Sequence, residues 1–290
     1  MTNGEKRWKF RGYRKPFKYW IPGTNIVNEI LKGYGKLLKN GDLIAISEKA
    51  ICTAKGNIYD ESRIISIDPI TKISSYIVNK LLWGKILSSK LPLEAVEMIR
   101  RIPIKYMAPH KKLALKYGGL IQFLKPYSEA GIDATNLPYT YVSLPLKEAD
   151  REARYIKYKI ERKLKIEVNI LIVDTDRTFK IKGIDNIAIT TRPSTVNGLI
   201  DMGGLGFIIG KIFKNKLFEE YPTPIAYKGT YMNLTDILEV TKFADKMMGH
   251  GFGRNVMEML NKIGKRSFEE VKWSDMYRIK HYPAIVIRRV

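Results

Sequence analysis

Val168-Asn169-Ile170-Leu171-Ile172-Val173, running into Asp174-Thr175-Asp176, is the stretch whose reading decides the fold. A short apolar run bounded by polar residues reads as a buried strand. One that stops on a carboxylate and a hydroxyl delivers polar groups at its mouth. A second stretch, Glu129-Ala130-Gly131-Ile132-Asp133-Ala134-Thr135-Asn136, is turn-like and glycine-bearing, with a carboxylate and a carboxamide three residues apart. Two such loops can place Asp133 and Asp174 around one hard divalent cation. Mg2+ or Mn2+ takes oxygen ligands and is often held by one or two carboxylates together with nucleotide phosphates. The same residues also fit a plain turn and a strand-end cap, because Asp and Asn are ordinary turn residues. Spacing alone leaves both readings open.

Outward from that strand, residues 145–164 carry Ala149, Ala153, Ile156, Ile160 and Leu164 at helical spacing, with Lys and Arg on the other face. Residues 178–182 and 187–190 read as further strands, with turn chemistry at Asp185-Asn186. Residues 118–123 read as a turn into a strand leading to the 129–136 loop, and 19–24 as a strand end running into a turn. Thr24 or Asn25 caps a helix over 26–38, and Asn40-Gly41-Asp42 turns into a strand over 43–46. Helical patterns cover 73–87 and 92–101. Gly203-Gly204-Leu205-Gly206 reads as a flexible loop or close backbone packing, since no preceding strand or following acid makes it a dinucleotide loop. Pro222-Thr223-Pro224 reads as a break. Asn233 or Thr235 opens a helix that ends at Met248-Gly249-His250-Gly251, a glycine turn whose backbone N–H groups can approach phosphate closely. The pattern predicts a mixed α+β fold, with mainly antiparallel sheets flanked by helices.

Composition narrows the function classes. The chain has 290 residues, enough for one large or two interlocked domains, and a hydrophobic content of 45%. No run approaches the roughly 20 apolar residues that cross a bilayer. The basic segment 1–15 reads as a loose arm without the apolar core of a secretory signal. Cys52 stands alone, which excludes an intrachain disulfide and points to the cytoplasm. A single glutamine among many Lys, Glu and Ile suggests a thermophilic source. The net charge of +22 steers anions. Its Lys and Arg are dispersed, and no nucleic-acid motif accompanies them, so a solvated surface and steering of small phosphates come before nucleic acid. Lys49, just after the 43–46 strand, is a candidate phosphate contact on chemistry alone, against the alternative of a surface lysine. His110 beside Lys111 and Lys112 reads as a surface histidine, and Asp60-Glu61 as solvated carboxylates.

Four motifs in order along the chain carry a resemblance: AGIDATN at 130–136, the pair Asp174-Thr175 after an apolar strand, MGHG at 248–251, and GDLIAIS at 41–47 followed by Ala54-Lys55-Gly56. Together they resemble the coenzyme F420-0:L-glutamate ligase (F420-0:gamma-glutamyl ligase) family. The resemblance covers most of residues 15–250, and residues 283–288 are similar to the family's closing strand. It implies a catalytic region over 16–253, with 254–290 as an extension ending in a strand. It further implies Asp133 and Asp174 as ligands of divalent metals (Mg2+ or Mn2+) and Thr175 as a ligand of a second metal. Asn136 is then a nucleotide contact, and the turn at Gly249 and Gly251 belongs to the nucleotide site. K+ is a candidate further ion. His250 stands where the family usually has an acidic metal ligand, and is the candidate replacement. Glu129 stands where the family usually has asparagine and offers a carboxylate near the metal. The implied chemistry is GTP-dependent attachment of L-glutamate to F420-0 through an acyl phosphate, in a homodimer. The competing reading is a divergent homologue that binds nucleotide or a polyanion, or a ligase for another acid.

Overall fold

The computed structural model describes residues 9–64, 66–126, 131–214 and 216–290. Glu129 and Ala130 lie outside them, so the expectation for Glu129 falls outside the described residues. The fold is mixed α+β, as expected, and its axis is the strand predicted at 168–173. That strand, β5 (Asn169–Ile181), does not stop at Asp174 but runs on through the segment predicted as a separate strand. It lies in a seven-stranded sheet with β1 (Phe10–Tyr13), β2 (Leu43–Ser47), β6 (Ala188–Thr190), β7 (Leu199–Asp201), β8 (Phe218–Lys228) and β9 (Ala284–Arg289). The order is β1-β9-β2-β5-β6-β7, with β8 on the other edge of β5. Pairings are mostly antiparallel, but β2 with β5 and β6 with β7 are parallel. A separate two-stranded ladder joins β3 (Ile58–Asp60) to β4 (Tyr141–Ser143).

The register of β5 explains its polar middle. β8 covers one edge from Ile170 to Ile181, so β2 and β6 must share the other edge end to end. β2 pairs only as far as Val173 and β6 pairs from Thr178, which leaves residues 174–176 outside both ladders on that edge, while the Arg177 carbonyl accepts from the Thr191 N–H. On the β8 side, Val173 faces Pro224 and Arg177 faces Pro222, with register shifts at both places. Proline cannot donate to a ladder and is found at bulges and edges. Thr175 and Asp176 therefore loop out where their partner strand offers no N–H. Pro222-Thr223-Pro224 thus runs within β8, opposite the bulge of β5, and is not a break.

Alternation along the strands divides two cores. Ile44, Ile46, Ile170, Ile172 and Val286 face the cluster that holds helices α1 (Ile26–Tyr34), α2 (Glu48–Ala54) and α6 (Ala149–Leu164). Leu43, Ala45, Leu171, Val173, Ile285 and Ile287 face α8 (Leu234–Met248). Asn25 and Asn233 cap α1 and α8, accepting from the backbone N–H of Asn28 and Asp236. A helical layer follows β3: α3 (Pro69–Tyr76), a π-helical segment (Ile77–Ile86), α4 (Leu93–Arg101) and α5 (Ile104–Phe123). Its core joins Trp83 to Phe207 of α7 (Gly203–Phe213). Residues 118–123 are therefore the end of α5, interrupted at Gly119 with φ +72°, and not a strand. The glycines at 203–206 open a helix. Gly204 sits against the Ile121 carbonyl and Gly210 against the Phe179 ring, so packing forms this helix despite poor propensity. Residues 19–21 form no strand.

The C-terminal segment contains α9 (Val256–Ile263) and α10 (Trp273–Met276) and returns to the sheet as β9 between β1 and β2. His281 fastens it to the N-terminal segment. Phe17 N–H donates to the His281 carbonyl at 2.8 Å, and the imidazole stacks on Tyr19 with centroids 4.6 Å apart. Burial pushes the His281 pKa from 6.5 down to about 4. The unfolded chain takes up that proton below about pH 6.5, whereas the folded chain resists it until about pH 4. Stability is therefore lost as pH falls through this window. Between pH 6.5 and 4 the midpoint of thermal unfolding should fall less in His281→Phe than in the unmodified protein, each taken relative to its own value at neutral pH, because the buried carboxylates Glu48 and Asp176 contribute equally to both; an identical pH dependence would place the titration elsewhere.

Candidate active site

The floor of the site is a buried charge cluster. β2 passes without a loop into α2, so Glu48 lies at the sheet's C-terminal edge and is 3% exposed. Arg192 follows β6 and is 2% exposed. Its Nη1 donates to Glu48 Oε2 at 2.5 Å and to Asp174 Oδ2 at 2.6 Å, and its Nη2 donates to Glu48 Oε1 at 2.8 Å. Glu48 Oε1 also accepts from the Leu146 N–H at 2.8 Å. Burial pushes the Glu48 pKa up to about 7, against the pull of Arg192. Burial also opposes the Arg192 charge, but the carboxylates of Glu48, Asp174 and Asp176 outweigh it and raise its pKa further. Gly131, with φ +79°, lies over the guanidinium so closely that a Cβ there would overlap it. Only glycine meets both constraints.

A second buried pair sits beside the first. Lys125 Nζ donates to Asp176 Oδ1 at 2.9 Å. Asp176 is 7% exposed and its pKa is pushed up to about 6 by burial, with Lys125 opposing. Its Oδ2 is buried and has no hydrogen-bond partner. The bulge of β5 places Asp176 in the wall of the cleft.

The loop at 131–136 is pinned from three sides. Asp133 exchanges backbone hydrogen bonds with Ser143, and its Oδ1 accepts from the Thr135 N–H at 2.7 Å. Its Oδ2 forms an ion pair with Lys49, whose ammonium also donates to the Thr135 carbonyl at 3.1 Å. Burial pushes the Asp133 pKa up, but Lys49 and the Thr135 N–H more than offset it and hold the carboxylate below its usual range. Asn136 has φ +60° and stitches this loop to the glycine turn. Its Nδ2 donates to the His250 carbonyl at 3.1 Å, and its Oδ1 accepts from the Phe252 N–H at 2.8 Å. Part of its amide is thus spent on the turn, leaving one N–H and one lone pair.

The glycine turn begins where α8 ends. Gly249 has φ +69° with open space where a Cβ would be, and Gly251 has φ +59° and packs against Asn136. Burial lowers the His250 pKa, although Asp245 of α8 pulls it upward. Burial raises the Asp245 pKa in turn.

Lys49, Asp133, Asn136, Asp174, Thr175, Gly249, His250 and Gly251, all expected from the sequence, line one cleft of about 460 Å³. Asp176 and Asp245 line it too and escaped the sequence reading, as did the Glu48–Arg192 pair beneath it. Asp176 stood in view, but nothing local marks a buried carboxylate with an unused oxygen. Asp245 lies within the ordinary helical pattern of α8. His110 is not a surface residue: its Nδ1 lies 2.8 Å from Glu61 Oε1, and both are largely buried. Among the described residues no group of three His, Cys, Asp or Glu forms a ready metal cage. The donor set suits a different arrangement, a hard cation shared with ligand phosphates and water. The unused oxygen of Asp176, a residue of the cleft that also presents Asp133 and Asp174, fits that arrangement.

Residues 18–255 match the model of the F420-0:gamma-glutamyl ligase family. The chain is also 28% identical over 290 residues to an uncharacterized protein of Methanocaldococcus jannaschii, covering 96% of each chain.

Removing the guanidinium leaves Glu48 and Asp174 as uncompensated buried charges. Arg192→Gln should cost about 3–5 kcal/mol of unfolding free energy, read as a lowered urea midpoint. An unchanged midpoint would mean that the two carboxylates tolerate burial without it.

Proposed function

The chain belongs to the F420-0:gamma-glutamyl ligase family, and on that premise we propose that it joins L-glutamate through a γ-linkage to coenzyme F420-0 at the expense of GTP. The family makes ligase the general class of activity. The observation that carries the finer reading is convergence. Residues distant in sequence, at 49, 133–136, 174–175 and 249–251, meet on one polar cleft.

In this reading a carboxylate of F420-0 attacks the γ-phosphoryl group of GTP and releases GDP. The amine of glutamate then attacks the acyl phosphate, forms the amide and releases phosphate. No protein nucleophile is required. The protein's task is alignment and charge neutralisation between anions. Asp133 and Asp174 would hold divalent cations, with Thr175 and His250 as further ligands. Bound Mg2+ or Mn2+ would supply charge neutralisation at the phosphate oxygens. Lys49 keeps Asp133 ionised and brings its ammonium to the cleft wall. Arg192 fixes one oxygen of Asp174, so the carboxylate presents its other oxygen. The open backbone at Gly249 admits a phosphate group close to the turn. Asn136 orders that turn and offers its remaining N–H to the nucleotide. The excess of Lys and Arg favours ligands that are all anionic. The reading includes a homodimer as the working assembly. Among the described residues no helix is long and apolar enough to cross a membrane.

Asp133→Asn and Asp174→Asn should each lower GTP cleavage that depends on F420-0 and glutamate by on the order of 10³-fold, equivalent to about 4 kcal/mol in the barrier. The check is phosphate release by folded variants. Retained cleavage would remove that carboxylate from the site.

A further inference from the structure

Across the 132–135 segment from the polar cleft lies a second chamber of about 300 Å³. Asp133, Thr135 and Arg254 border both spaces. The size is at the lower end for small-molecule pockets, and such pockets combine apolar walls with a few placed polar groups. Here the apolar wall is aromatic: Tyr106 and Phe268 meet edge to face with centroids 5.1 Å apart, and the Tyr106 hydroxyl donates to Glu269 Oε1 at 3.2 Å. The His110–Glu61 pair supplies one polar side.

Asn79 supplies the other. It lines the chamber from the π-helical segment, is 2% exposed, and its side-chain oxygen is buried without a hydrogen-bond partner. Leaving such an oxygen unpaired costs stability, and Asn79 lines the chamber, so a donor from a ligand bound there would satisfy it. A carboxamide offers an acceptor and a donor side by side, which complements a lactam edge, –NH–C(=O)–. Phe268 and Glu269 come from the segment beyond residue 255, outside the region that the family model matches. This wall therefore comes from a part of the chain that the family model does not cover.

We propose that the chamber binds the fused heteroaromatic ring of the acceptor, with Asn79 reading its lactam edge and the segment after residue 255 closing over its face. The proposal rests on the ligase reading for the name of the acceptor, a deazaflavin. A guanine base shares the lactam edge. The glycine turn and Lys49 line the other space, so the nucleotide belongs in the polar cleft and the acceptor ring in the chamber. The acceptor then reaches its carboxylate past Asp133 to the γ-phosphoryl group.

The test is equilibrium binding to the full-length protein of three probes: F420-0, a deazaflavin lacking the phosphorylated arm, and GDP. Deazaflavin fluorescence reports the first two and calorimetry the third. The bare ring should bind the unmodified protein and compete with F420-0. Asn79→Leu and Phe268→Ala should each weaken both deazaflavins about tenfold, the order of one lost buried polar or aromatic contact. GDP affinity should change less than about twofold on the same energy scale, and Phe268→Tyr should restore ring binding. Phe268 is only partly buried, so its variants keep the test open if Asn79→Leu fails to fold. Unchanged deazaflavin affinity in Phe268→Ala overturns the proposal, and so does an equal loss of GDP, which would put the base in the chamber. Ring binding without amide formation would count against the ligase reading and leave the chamber standing. Amide formation with chamber variants that behave like the unmodified protein would do the reverse.

Discussion

One buried guanidinium holds the site together. Arg192 joins the start of α2 through Glu48, the bulged strand β5 through Asp174, and the 131–136 loop through the close approach of Gly131. Three chain segments far apart in sequence meet at it, two through its charge and one through close packing. The planar fork suits this task, because it donates to two carboxylates in fixed directions where a lysine could offer only a point charge. Such a cluster adds little net stability compared with apolar packing, but it penalises every arrangement that leaves one of its charges unpaired. It thereby specifies the geometry of the cleft floor.

The second constraint is the break in the β5 ladder. β2 ends one residue before Asp174, β6 begins after Arg177, and two prolines of β8 face the ends of the gap. The polar groups of the site thus stand where the sheet cannot use their backbone. A strand with regular partners on both edges would turn Asp174 and Asp176 together into one apolar core and Thr175 into the other. The bulge instead brings Asp174, Thr175 and Asp176 to one cleft, and leaves Asp176 with an unused oxygen.

What was legible in the sequence follows from this. The buried half of β5, the caps at Asn25 and Asn233 and the end of α8 at Met248 are set by local apolar runs and capping chemistry, so the sequence shows them. The continuation of β5 past Asp174 is set by its partner strand, and three polar residues in a row look like an end. Gly203–Phe213 is helical because its glycines let α5 and Phe179 come close, which no propensity reveals. Seven of the candidate site residues belong to short motifs, each weak alone, and Lys49 is a candidate on its chemistry; the fold gathers all eight around one cleft. Arg192, in the stretch Thr190-Thr191-Arg192-Pro193, carries no local sign of burial, since its partners come from positions 48 and 174. His110 sits beside two lysines, a pattern typical of an exposed side chain, yet it pairs with Glu61 in a largely buried position.

In the proposed reaction this cleft couples nucleotide cleavage to amide formation. The most direct measurement incubates the protein with GTP, Mg2+ or Mn2+, F420-0 and L-glutamate, follows phosphate release, and weighs the deazaflavin product by mass spectrometry. A gain of one glutamyl residue for each phosphate released is expected, and no phosphate when either acceptor or glutamate is left out. Phosphate release without a mass gain, or a mass gain that does not need nucleotide, would contradict this coupling.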